Sequence, residues 1–122
     1  MSLNSYKELI VWQKSFELAV EIFRLTQLFP KSELYGLTSQ MRRAAFAIPS
    51  NIAEGYARGH RAEYLQFLTI AFSSGAELET QLLLAKTLKL ASQDKFAKTE
   101  GFLDEVMKML NGLIGKLKSK YS

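Results

Sequence analysis

No cysteine occurs in the chain. That excludes disulfides, thiolate metal sites and cysteine nucleophiles together, and it fits a reducing compartment. The single histidine, His60, has Ala57 three positions before it, so the Glu-x-x-His pairs of a di-iron bundle are absent. Neither a P-loop lysine motif nor a glycine-rich dinucleotide fingerprint is present. Glu77 and Glu79 are two residues apart and point to different sides of a helix, a poor acid/base pair. With two prolines and seven glycines in 122 residues, the closely spaced turns of a β-sandwich are missing. No run approaches the ~18 uncharged apolar residues of a membrane span. Lys7, Glu8 and Lys14 interrupt the N-terminal stretch where a signal peptide would need an unbroken apolar core. The expectation is a soluble, cytoplasmic, non-enzymatic protein with no catalytic residues, metal or cofactor.

What is present is helical periodicity. Val11, Leu18, Ile22, Leu25 and Phe29 form one seam, and Trp12, Phe16, Ala19 and Phe23 form a second beside it. Pro30 is expected to close this first helix, over 6–29. Ser32 and Glu33 suit the start of a second helix over 33–58, with Gly59 beyond its end. Pro49 lies inside that helix and predicts a kink, or a break into two. A third helix over 61–91 carries Leu68, Ala71, Gly75, Leu78, Leu82 and Ala85 in a 3–4 repeat. Ser73-Ser74-Gly75-Ala76 at its centre predicts a close helix crossing, because Gly75 inside a helix costs about 1 kcal/mol against alanine. The fourth helix, over 93–118 with Ser92 as its cap, has Phe96, Leu103, Leu110 and Leu117 at spacings of seven. Gly112 and Gly115 predict fraying at its end. Four amphipathic helices with short connections predict one all-α domain, an antiparallel up-down-up-down four-helix bundle.

Charge is unevenly spread. The net charge is +4, yet residues 1–105 hold equal numbers of basic and acidic side chains. Residues 24–61 carry six basic groups against two glutamates, and residues 62–105 carry four lysines against seven acids. After Glu105 every charged side chain is a lysine: Lys108, Lys116, Lys118 and Lys120. Arg42, Arg43, Arg58, Arg61, Lys116 and Lys118 are therefore candidates for contact with RNA or DNA. Two other readings stay open: the arginines pair with glutamates of a neighbouring helix or subunit, and the lysines complement a helix C-terminal dipole. The apolar faces of helices one and three are wider than one packing contact requires. Trp12, Phe16, Phe23, Phe67 and Phe72 are accordingly candidates for an oligomer interface.

Several blocks carry a resemblance. They are Val11-Trp12-Gln13, Glu33-Leu34-Tyr35-Gly36-Leu37, Gln40-Met41-Arg42-Arg43-Ala44-Ala45, Ile48-Pro49-Ser50-Asn51-Ile52-Ala53-Glu54-Gly55 and Glu77-Leu78-Glu79-Thr80-Gln81-Leu82. Together they resemble the bacterial four-helix-bundle family encoded by intervening sequences in large-subunit ribosomal RNA genes. That family is similar to the accessory protein of diversity-generating retroelements, a basic pentameric barrel that associates with a reverse transcriptase and nucleic acid. The resemblance implies a homopentamer of antiparallel bundles. The partners it implies are RNA, DNA or a nucleic-acid-processing protein, and it assigns no enzymatic activity. The alternative is a protein-interaction scaffold with no nucleic-acid partner.

Overall fold

The computed structural model describes residues 5–119, so Lys120 lies outside the described residues. Four α-helices carry the fold: α1 (Ile10–Thr26), α2 (Ser39–Ala57), α3 (Arg61–Thr87) and α4 (Ala97–Ser119). No strand occurs among the described residues. Each helix packs against its neighbours in sequence, and α1 also packs against α4.

The apolar seams read from the sequence close the core. Val11, Leu18, Ile22, Leu25 and Phe29 are buried together, and so are Leu68, Ala71, Leu78, Leu82 and Ala85 of α3. Phe96, Leu103 and Leu110 are buried opposite them. The small-residue centre of α3 is a close crossing, as expected. A Cβ on Gly75 would collide with the Met107 thioether of α4.

Helix ends depart from the sequence reading in ways the backbone explains. The first helix, expected over 6–29, is a 3-10 turn at Tyr6–Glu8 followed by α1. Ser5 caps that turn by accepting from the Lys7 amide (3.1 Å), and extended Leu9 separates the two pieces. α1 ends at Thr26, before Pro30 is reached. The Leu28 and Phe29 amides bond three residues back, to Leu25 and Thr26, which tightens the chain out of the α-helix. Ser32 does not cap α2; it lies in a 3-10 turn, Lys31–Glu33. A π-helical turn follows over Leu34–Thr38, in which Gly36 has φ −113° and ψ −113°. The helix does not break at Pro49, because α2 is continuous from Ser39 to Ala57 with Pro49 buried inside it. The non-helical backbone of this region falls at Gly36 instead.

Gly59, at φ 75°, terminates α2 as expected. α3 stops at Thr87 rather than 91 because Lys89 adopts φ 58°. The Leu90 amide then reaches the Ala85 carbonyl and the Lys89 amide reaches Lys86 (3.0 and 3.1 Å). This is a Schellman closure made without glycine. Ser92 caps a 3-10 turn, Gln93–Lys95, and not α4 itself. Its hydroxyl, hydrogen-bonded to Asp94, holds that carboxyl below the usual range. α4 continues through Gly112 and Gly115 to Ser119.

Candidate functional site

A groove of about 520 Å³ runs between α1 and α2. Its origin is the second seam of α1. Trp12, Phe16 and Phe23 recur at spacings of four and seven beside the buried seam, so they line the same side of the helix. On α2, Phe46, Pro49 and Ala53 recur at three and four, and they form the facing wall with Ser50. Ala19, Pro49, Ser50 and Ala53 are too small to fill the space between the aromatic rings. Tyr6, from the first turn, closes one end with its ring edge-on to Trp12, centroids 5.3 Å apart. Trp12 in turn lies 5.2 Å from Phe16. Phe16, Phe23 and Phe46 are 50%, 41% and 45% exposed, and covering the half of each ring still open would gain about 1 kcal/mol apiece.

Arg42 flanks this groove. Its guanidinium carbon lies 4.1 Å from the centre of the Phe23 ring, and its Nε donates to the Thr26 hydroxyl (2.8 Å). That hydroxyl is itself directed at the carbonyls of Ile22 (2.7 Å) and Phe23 (3.0 Å). Arg42 is thus held against α1 by an aromatic face and a hydroxyl. Arg43, one residue on, is exposed.

The remaining candidate cations are elsewhere. Arg42 and Arg58 stand 16 residues apart on one helical stretch, about 24 Å along its axis. Arg58 bridges Glu54 (3.1 Å) and Glu63 (3.2 Å) and lies over the Phe67 ring at 5.0 Å. The hydrogen bond to Glu54, strengthened by Glu63, raises its pKa further. Its charge is therefore largely matched at home. Arg61 is exposed beside Tyr56, His60 and Tyr64 in a small depression. Lys116 and Lys118 are exposed on the last turn of α4, Lys116 beside Leu9 and Ile10.

The five aromatic candidates divide in the same way. Trp12, Phe16 and Phe23 come together at the groove. Phe67 instead packs its Cβ against Gly55, and half-buried Phe72 packs on the core. The sequence reading missed Tyr6 and Phe46. The signal for Phe46 was available: Arg42, Phe46, Pro49 and Ala53 repeat at four, three and four, a second seam on α2.

Among the described residues, Tyr64, half-buried and edge-on to Tyr56 at 5.7 Å, carries the one large pKa displacement. Burial, aided by Tyr56, pushes its phenol from 10.0 up to about 12. The folded phenol holds its proton more tightly than the unfolded one. Its contribution is therefore fully present below about pH 10 and is lost as pH rises towards about 12. Urea midpoints compared at about pH 9 and about pH 11 should fall more steeply for the native sequence than for Tyr64→Phe. Equal slopes would contradict it.

Among the described residues, no group of three or more His, Cys, Asp or Glu side chains could hold a metal. No helix there is long and apolar enough to cross a membrane. The molecule is thus an all-helical, four-helix protein with an open apolar groove flanked by arginine. The family model for 23S rRNA-intervening sequence proteins matches residues 7–112, and the chain belongs to that family. It is also similar to the crystal structure of a protein of unknown function from the S23 ribosomal protein family of Bacteroides thetaiotaomicron. The TM-score is 0.80 and the identity 25%, covering 86% of this chain and 98% of that one. No curated protein sequence matches it.

Proposed function

We propose that the protein is a non-enzymatic, cytoplasmic, self-associating module, an antiparallel up-down-up-down bundle whose α1–α2 groove is a subunit contact. The groove carries this reading: Trp12, Phe16, Phe23 and Phe46 surround about 520 Å³ of apolar space, with Phe16, Phe23 and Phe46 each 41–50% exposed. Such a patch marks an interaction surface more often than a solvated one. The antiparallel arrangement is supported by contacts that run in opposite directions along the chain. Lys14 meets Glu105 while Glu21 meets Lys98, and Tyr56 meets Tyr64 across a short connection. A bend at Pro49, whose ring crowds the Ala45 carbonyl, would shape the α2 wall. The resemblance to retroelement accessory proteins makes a pentamer the expected order. Light scattering should give a mass that is a multiple of the chain mass; a monomer would overturn the proposal.

Contact with RNA or DNA is a second reading, and the exposure of Arg43, Arg61, Lys116 and Lys118 favours it. Assembly would repeat these cations around the oligomer. Binding to structured RNA should weaken with salt, and Arg43→Ala should lower the logarithmic slope by about 0.7–0.9 for each phosphate left without its cation. Absence of binding at low salt would remove this reading and leave an interaction scaffold.

A further inference from the structure

A second groove, of about 530 Å³, lies between the start of α1 and the last turns of α4. Leu9 and Val11 line it from one side, and Met109 and Leu113 line it from the other. Gly112 keeps it open, because a Cβ there would meet no atom within 4 Å. Two lysines flank this trough, and their circumstances differ. Lys108 is already paired with Asp104 (3.1 Å). Lys116 is exposed and forms no ion pair among the described residues. Every charged side chain after Glu105 is a lysine, and the first turn of α1 holds no acidic residue. No carboxylate on either wall therefore competes for the Lys116 ammonium.

The trough thus offers an apolar channel with an unmatched cation at one end only. Lys108 and Lys116 are eight residues apart, about 12 Å along α4. An extended chain advances roughly 1.2 Å per bond, so about ten bonds span that length. We infer that the trough binds a straight-chain carboxylate of about ten carbons, its tail between Met109 and Val11 and its head on Lys116. The volume falls within the roughly 300–1,000 Å³ of small-molecule sites. Charge sets the sign of the ligand: a cationic amphiphile would meet Lys116 as a like charge. A bilayer surface would engage Ile10, which stands beside the trough 61% exposed, but would not reach half-buried Met109 and Leu113. This site is separate from the α1–α2 groove and does not depend on self-association.

Decanoate, kept below its micelle-forming concentration, is the probe, followed through the methionine methyl resonances of the full chain. Met109 should shift saturably, while Met41, buried in the core, should not. Lys116→Gln should weaken binding about two- to fivefold, the range for an exposed ion pair. Lys116→Glu should reverse the preference, so that decyltrimethylammonium binds more tightly than decanoate. Gly112→Leu fills the trough and favours the helix, so it should abolish the Met109 shift without lowering the unfolding midpoint. Gly112→Leu binding decanoate like the unmodified protein overturns the inference. So does equal binding of decanoate and decyltrimethylammonium by the unmodified protein. Met109 unmoved by decanoate, with the protein sedimenting on phosphatidylglycerol vesicles, overturns it in favour of a membrane surface. Should Gly112→Leu fail to fold, the charge reversal at exposed Lys116 decides alone, and an unreversed preference overturns the inference.

Discussion

Phe96→Ala is expected to lower the free energy of unfolding by about 3–5 kcal/mol, the range for emptying a fully buried aromatic site. Phe96 has no exposed surface. It stands just before α4, where the chain leaves the Gln93–Lys95 turn, and its ring lies 6.3 Å from that of Phe29 at the exit of α1. It therefore packs the end of α1 against the start of α4. Its position outside the α-helices means that helix propensity contributes little, so the loss reports packing. At about 1.5 kcal/mol per molar urea, the midpoint should fall by roughly 2 M or more. A loss under about 1 kcal/mol would show that the end of the molecule collapses around the gap.

Gly55→Ala should destabilise by about 1–3 kcal/mol even though alanine is the better helix former. A Cβ there would stand 2.5 Å from the Phe67 Cβ and 3.4 Å from the Tyr64 Cδ1. The Phe67 Cβ is one bond from its backbone and cannot swing aside, so α2 and α3 must separate. Gly75→Ala provides the control. Its new methyl meets the thioether of Met107, near the free end of a flexible side chain that can move. There the helix-propensity gain of about 1 kcal/mol offsets most of the strain. Thermal or urea unfolding of both variants should separate them by more than about 1 kcal/mol. Equal losses would mean that the two crossings are equally rigid.

The legible part of this protein was the part that depends on residues three and four apart. The seam from Val11 to Phe29 and the 3–4 repeat of α3 are core because their spacing puts them on one side of a helix. The Gly75 crossing followed similarly, since a mid-helix glycine has a cost that a close approach must offset. The helix ends were less legible. Lys89 takes a left-handed conformation usually given to glycine, and the last bonds of α1 shorten before Pro30 is reached. Both are settled by backbone hydrogen bonds that composition does not record.

The candidate site divides along the same line. The sequence alone determined that α1 has two apolar seams and that Arg42, Arg43, Arg58 and Arg61 occupy a basic stretch. Only the tertiary structure decided that Phe16 and Phe23 stay open while Phe67 is held against Gly55. It also decided that Arg42 lies on Phe23 and that Arg58 is matched by two glutamates. A side chain's partner lies across a helix interface from residues far away in the chain, and no local spacing specifies which residue stands opposite.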